Sequence, residues 1–348
     1  MRVRAHVALD ALNTFRVAAN CRYLVTLEQP DDAWRFLDDA RFAGLPRLVL
    51  GGGSNILFVD DYPGVVVRVA MPGREWLDGA EDAHRLRVGA GEAWHATVRH
   101  SVEAGRGGLE NLSLIPGLAG AAPVQNIGAY GIELKDRFES LQAVDLDNGG
   151  ERVFSLDECD FAYRHSRFKR EPGRWLITSV VLRLPRPWEP RLDYPGVAAA
   201  LAGKTPTPAR VSDAISAIRQ RKLPDPADIG NAGSFFKNPI VSARRHDELK
   251  ARFPDMPGFT LADGRVKLSA AWLIDRCGLR GRREGDAGVY PGHALVLVNH
   301  GRASGADLWR LAARVRVTVA ECFDVSLEPE PLIVANSMPN QMSSQGQR

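Results

Sequence analysis

Five consecutive residues, Gly51, Gly52, Gly53, Ser54 and Asn55, stand between two apolar runs at 48–50 and 56–59. Three glycines let the backbone come close to a ligand and aim several N–H groups at one anion. The Ser54 hydroxyl and the Asn55 amide add donors. A pyrophosphate is the guest such a loop suits. On glycine count alone, a tight turn joining two strands is the simpler reading. The dinucleotide fingerprint is excluded, because its sixth position is Ile56 here and a β-like run follows instead of a helix. The Walker loop is excluded because no Gly-Lys-Ser/Thr ending is present. Any phosphate bound here sits in a strand–loop–strand setting.

A second small-residue stretch runs from Leu114 through Ile115, Pro116, Gly117, Ala121, Ala122, Val124, Ile127 and Gly128 to Gly131. Glycine and proline break it too often for a regular element, and it is too apolar for a solvated loop. Such backbone can press against a broad flat ligand. The plain alternative is a buried irregular connection, unusual at this length. Four further pieces set polar groups in apolar or glycine surroundings. Arg164 lies between aromatics in YRHSRF. Ser234 follows Gly233 and precedes Phe235 and Phe236. Glu328 and Glu330 alternate with Pro329 and Pro331. Lys222 precedes Leu223-Pro224-Asp225-Pro226. Taken singly, these read as a surface arginine, a turn hydroxyl, edge charges and a linker.

The elements that must position these groups follow from periodicity. Short β-like runs at 48–50, 56–59, 65–69, 86–88, 141–146, 152–154 and 175–184 dominate the first half. Asn148-Gly149-Gly150 is a hairpin signal between two of them. Trp94, Val98 and Val102 recur at helical spacing, and Gly105 ends that helix. The proline-rich segment 185–196 reads as a connector or mobile loop. A helix is expected at 211–221, another at 269–276, and a buried strand at 294–298. Ser304 caps a long helix with the stripe Leu308, Leu311, Val315 and Val319. The chain then returns over 325–334.

The chain has 348 residues, which implies two or three domains. Lys+Arg number 45 and Asp+Glu 42, a net charge of +3, so no global field favours nucleic acid or anionic lipid. An anion site must be local. The start of the chain lacks an apolar core long enough for a signal peptide, and no stretch approaches a membrane span. Cys21, Cys159, Cys277 and Cys322 are scattered and fit reduced cytosolic thiols better than a disulfide framework or a zinc site. His95 and His100 fall on different helix faces and read as ordinary helix residues, with no metal expected.

Six motifs, GGGSN, LIPGLAGAAPVQNIGAYG, YRHSRFK, KLPDP, GNAGSFFKNP and LEPE, occur in this order. Together, from about Asn13 to Val334, they resemble the UDP-N-acetylenolpyruvoylglucosamine reductase (UDP-N-acetylmuramate dehydrogenase) family. Tyr194 in DYPG matches the version with a tyrosine-bearing connector. The resemblance implies an α+β protein with a vanillyl-alcohol-oxidase-type (PCMH-type) FAD fold in two domains, 1–70 and 71–222. A third α+β domain, 223–324, would bind substrate. A return strand with the LEPE motif at 325–336 and a disordered tail at 337–348 complete the division.

The implied cofactor is non-covalent FAD, its pyrophosphate on Gly51, Gly52, Gly53, Ser54 and Asn55. Ile115, Pro116, Gly117, Ala121, Ala122, Val124, Ile127 and Gly128 would line the ring and the adenine side. The implied reaction passes a hydride from NADPH through FAD to the terminal methylene carbon of an enolpyruvyl group. Charge develops toward the carboxylate, and a donor protonates the adjacent carbon. Arg164 would hold that carboxylate, Glu330 would orient this group or, in its protonated form, share the hydrogen-bonding role, and Ser234 would give the proton. Tyr130, Tyr194, Arg219, Lys222, Asn238, Lys267, Arg280 and His293 would contact the UDP-sugar. Ala121-Ala122 stands where a serine pair is common, His165 where aspartate is common, Arg280 for a lysine and His293 for a glutamine. The NADPH preference rests on resemblance alone. The expected protein is a cytoplasmic monomer whose partners are NADPH and the UDP-sugar enolpyruvate. Another FAD oxidase or dehydrogenase of the same fold is the alternative. It predicts a histidine or cysteine for covalent flavin, and neither glycine-rich segment has one.

Overall fold

The β-branched and apolar runs of the first half form strands, and the inner ones, Tyr62–Val69 and Trp175–Pro185, are buried on both faces over most of their length. The structure is a computed structural model and describes residues 1–336, so the expected tail at 337–348 lies outside the described residues. The fold is α+β. The chain divides into two compact units, the first made of Met1–Val7, Cys21–Gly53 and Pro63–Lys222. The second gathers Ala8–Asn20, Ser54–Tyr62 and the chain from Leu223 onward. The division falls inside the first glycine loop, between Gly53 and Ser54.

In the first unit, one sheet has the order Glu151–Ser155, Phe138–Asp145, Trp175–Pro185, Ala83–Gly89, Arg74–Leu77, all antiparallel. Asn148-Gly149-Gly150 turns its first hairpin, with Val144 opposite Glu151 and Ser140 opposite Ser155. A second sheet has the order Arg2–Ala8, Asn20–Leu27, Tyr62–Val69, Arg47–Leu50, its last pair parallel. The helix Trp94–Glu103 buries Trp94, Val98 and Val102 in the core shared with Leu86, Val88, Ile177 and Leu182. A smaller core joins the helix Pro208–Lys222, through Val211, Ile215 and Ile218, to Val197 and Leu201. Tyr130, Trp188 and Leu192 pack against it.

In the second unit, a sheet runs Gly230–Ser234, Val296–Asn299, Ala287–Val289, Arg283–Glu284. A smaller one runs Ile240–Val241, Val266–Leu268, Gly258–Thr260. The helix Gly305–Phe323 starts at a capping box in which Ser304 and Asp307 exchange side-chain and backbone bonds. Its stripe Leu308, Leu311, Val315 and Val319 is fully buried. The return over 325–334 differs from expectation: only Leu332–Val334 is a strand, parallel to Ile56–Phe58. Pro329 and Pro331 lack the N–H a longer ladder needs.

Candidate active site

The first unit packs its two glycine-rich segments against each other. A Cβ on Gly52 would lie 3.0 Å from the Gly117 Cα, and one on Gly51 3.1 Å from the Ala121 Cβ. The Gly52 backbone therefore meets the Gly117 backbone and Gly51 meets the Ala121 methyl, a close approach that glycine permits and a larger residue would not. The second segment is less irregular than its sequence suggests, because 119–121 and 123–125 are short 3-10 turns. Many of its N–H groups are already spent: Ala122 donates to Leu118 and Ile127 to Ala122 within the segment, while Ala119 donates to Glu92 and Gly120 to Ala90 outside it. Ile115, Leu118, Ala121, Val124, Ile127 and Ala129 remain half-buried, an apolar strip. Pro116 is exposed and Ala122 is in the core.

Side chains from elsewhere fix this segment. The Leu114 N–H donates to His95 Nδ1 at 3.0 Å. Burial, then Arg99 and Arg219, hold the His95 pKa below its ordinary value, so the acceptor nitrogen stays unprotonated. Asn126, fully buried, donates to Glu133 (2.9 Å) and to the Ala162 carbonyl (3.2 Å) and accepts from Lys135 (3.0 Å). The Ser166 hydroxyl donates to the Val124 carbonyl at 2.7 Å. Lys169 Nζ donates to Gln125 Oε1 at 3.0 Å and the Arg164 carbonyl at 3.3 Å. Arg164 itself, at φ +54°, donates from Nη2 to the Gly128 carbonyl at 2.9 Å. YRHSRFK is thus wired onto 124–128.

Around Arg164 the first unit also gathers Tyr130, Tyr194 and Arg219. The two tyrosine rings meet edge to face at 4.9 Å. Burial pushes the Tyr130 hydroxyl pKa up. Burial lowers that of Arg219, opposed by Tyr130 and reinforced by Arg164. Arg219 Nε is covered and has no hydrogen-bond partner. A buried guanidinium N–H left unpaired calls for an acceptor, and an anionic ligand supplies one. Together, the glycine contact, the apolar strip and this unpaired donor fit a flat cofactor with phosphates and an anionic substrate. Lys222 ends the helix Pro208–Lys222 and is exposed.

In the second unit, Ser234 faces Val296, and the register with the neighbouring strand shifts between Asn231 and Ser234. That irregularity is a bulge, which re-aims the residue after it. Gly233 sits in it at φ +67°, its N–H bonded to Asn231 Oδ1 at 2.9 Å. The LEPE segment pairs directly beyond. Glu330 N–H donates to the Phe235 carbonyl (2.8 Å), Lys237 N–H to the Glu328 carbonyl (2.9 Å), and Phe236 bridges Pro329. Asn55 Nδ2 reaches the Glu330 carbonyl at 3.4 Å, and Leu332 N–H donates to the Asn55 carbonyl at 3.0 Å. Ser234, Glu330 and Asn55 therefore belong to one backbone-bonded patch, with Phe235 and Phe236 buried beside them. Glu328 instead points to an exposed ion pair with Lys237 at 2.9 Å.

The remaining expected contacts are spread over this unit. Asn238 Oδ1 accepts from the Ala270 N–H at 3.0 Å. Lys267 lies opposite Ile240, its ammonium 5.4 Å from the Phe259 ring. His293 Nδ1 accepts from Leu295 at 3.3 Å, and Arg280 pairs with Asp275 at 3.0 Å, both partly exposed. Sequence reasoning missed His95, Asn126 and Lys169 as supports. No local signal marks them, because each acts on a residue outside its own element.

Residues 21–154 match the family described as FAD binding domain. Residues 225–334 match the C-terminal domain of UDP-N-acetylenolpyruvoylglucosamine reductase. The reductase of that name from Azoarcus sp. is 49% identical over 333 residues, 94% of this chain and 96% of the relative. That of Chromobacterium violaceum is 50% identical, over 96% of this chain and 99% of the relative. The crystal structure of the Thermus caldophilus reductase superposes with a TM-score of 0.68 at 27% identity, covering 96% of this chain and 100% of that one.

Proposed function

The chain belongs to the UDP-N-acetylenolpyruvoylglucosamine reductase family, and from that premise we propose that it reduces the enolpyruvyl group of UDP-N-acetylglucosamine enolpyruvate to the lactyl ether of UDP-N-acetylmuramate, a peptidoglycan precursor step. The observation that carries this reading is identity of 49% maintained over 94% of the chain. Gly51, Gly52, Gly53, Ser54 and Asn55 would hold the pyrophosphate of FAD, and Ile115, Gly117, Ala121, Val124 and Ile127 would line its ring system. The chemistry it would supply is hydride transfer from NADPH to the substrate.

Arg164 grips the substrate carboxylate and stabilises the charge that gathers there when hydride arrives. A preorganised, charge-assisted donor of this kind is worth about 3–4 kcal/mol in a transition state. Its bond to the Gly128 carbonyl supports the reading, since an arginine held at its far end loses less freedom on binding. Ser234 hands its proton to the carbon next to the one that received hydride. A hydroxyl is a weak acid, so the donor must be aimed and kept dry. The bulge at Gly233 supplies the aim, and buried Phe235 and Phe236 supply the dryness. Glu330, in its protonated form, would share the hydrogen bonding to the substrate carboxylate. Tyr130, Tyr194, Arg219, Lys222, Asn238 and Lys267 bind the UDP-sugar. Among the described residues no helix is long and apolar enough to cross a membrane. The four free thiols fit a reducing compartment such as the cytoplasm.

The test is an assay of purified protein with NADPH and the enolpyruvyl UDP-sugar. Substrate-dependent NADPH loss and formation of the lactyl ether are expected. Oxygen consumption with another donor, or a colourless protein without turnover, overturns the proposal.

A further inference from the structure

Tyr130 and Tyr194 sit on segments with no long regular element to hold them. Tyr130 occupies a two-residue turn between Gly128–Ala129 and Ile132–Glu133, with φ +49° at Tyr130 and +83° at Gly131. That left-handed backbone is unfavourable for a tyrosine. Tyr194 is exposed on the proline-rich connector. Both segments are tied to one short stretch, Glu110 to Ser113. Asn111 Nδ2 donates to the Tyr130 carbonyl at 2.8 Å and to the Arg191 carbonyl at 3.0 Å. Next to it, Glu110 Oε1 accepts from the Trp188 ring N–H at 2.9 Å. Ser113 and Ser212 share a buried hydroxyl bond of 2.8 Å, which reaches the helix that carries Arg219.

Asn111 is 1% exposed. Its Oδ1 is covered and makes no hydrogen bond. The side chain's polar contribution is therefore the pair of N–H donations. Turning the amide over would set an oxygen against two carbonyls, so the orientation follows from the partners. One amide thus joins the backbone of one tyrosine to a point three residues before the other.

We infer that Asn111 is a positioning residue for substrate binding: it fixes the Tyr130–Tyr194 ring pair by holding the Tyr130 backbone and the connector three residues before Tyr194, without touching the substrate. This rests on the proposed function, in which those tyrosines bind the UDP-sugar. The experiment compares FAD-loaded wild type, Asn111→Ala, Tyr194→Ala and the double variant. Each is titrated with UDP-N-acetylglucosamine enolpyruvate by calorimetry, with FAD content and melting temperature recorded alongside. Asn111→Ala weakens binding by about tenfold or more with FAD retained. In the Tyr194→Ala background the same change costs less than about twofold. Equal losses in the two backgrounds, or no loss in either, overturn the inference. Unchanged binding by Tyr194→Ala overturns the reading of the tyrosine itself, a separate result. Should Asn111→Ala lose its FAD, Asn111→Ser is measured in the same way. If that variant also loses FAD, the residue serves folding and the inference falls.

Discussion

The two units hold their candidate groups by opposite means. In the first, Arg164, Gly128 and Tyr130 lie on irregular backbone pinned by side chains, among them half-buried His95 and buried Asn126 and Ser166. In the second, Ser234 and Glu330 are joined by main-chain bonds between the GNAGSFFK and LEPE segments. A side-chain clamp fails with a single substitution. A backbone ladder ignores most substitutions but is sensitive to glycine and proline. The first arrangement lets loops match a ligand with several rings and charges, and the second fixes one hydroxyl.

The largest expected effect tests the ladder's purpose. Ser234→Ala slows reduction of the enolpyruvyl substrate by about 10²–10⁴-fold while flavin reduction by NADPH stays near wild type. Equal slowing of both halves in stopped-flow measurements removes Ser234 as the proton donor. Next comes a clamp. Asn126→Ala leaves the Lys135 N–H without its acceptor, at about 1–3 kcal/mol, and takes from the Ala162 carbonyl one of its two donors, the other being the His165 N–H. The variant is expected to lose FAD on gel filtration, and full retention would contradict the clamp. Gly233→Ala is gentler, because nothing lies within 4 Å of the added Cβ and only the φ of +67° opposes it. A loss of about 1–2 kcal/mol is expected, read as a lower melting temperature.

A smaller effect involves His95, whose folded pKa is depressed by burial, Arg99 and Arg219. Its contribution is intact above the unfolded value of about 6.5 and is lost as pH falls below it toward the folded value. The melting temperature of His95→Gln should therefore fall less steeply than that of wild type over this window. Least of all, Glu328→Gln removes an ion pair whose acid is exposed, worth about 0–1 kcal/mol. Turnover should be unchanged, since the backbone bond from Lys237 remains. A large loss would mean that the second unit also depends on side chains.

Local signals carried much of the fold. Ser304 marked the start of the long helix, Asn148-Gly149-Gly150 marked the hairpin, and the Trp94, Val98 and Val102 spacing marked the buried face. These depend on neighbours a few residues away. Pairings across the chain were hidden. Nothing near Ile56 shows that its partner is Leu332. The prolines of 185–196 suggest a connector or mobile loop, yet Trp188 and Arg191 are tied to Glu110 and Asn111, about eighty positions earlier. Composition reveals the prolines but not the distant acceptor or donor. The candidate groups themselves stood out, because a serine between glycine and phenylalanine or an arginine among aromatics is visible in the residue string. What keeps them in place was not.

The strand Ile56–Phe58, every residue of it buried, pairs with Leu332–Val334. During translation, at about 5–20 residues per second, three greasy side chains wait tens of seconds for a partner still inside the ribosome. A C-terminal fragment begun at Leu223 would have the converse problem, its last strand lacking the mate that left the tunnel early. Nascent chains stalled before residue 332 are therefore expected to recruit chaperones, and severed halves to regain structure only when mixed.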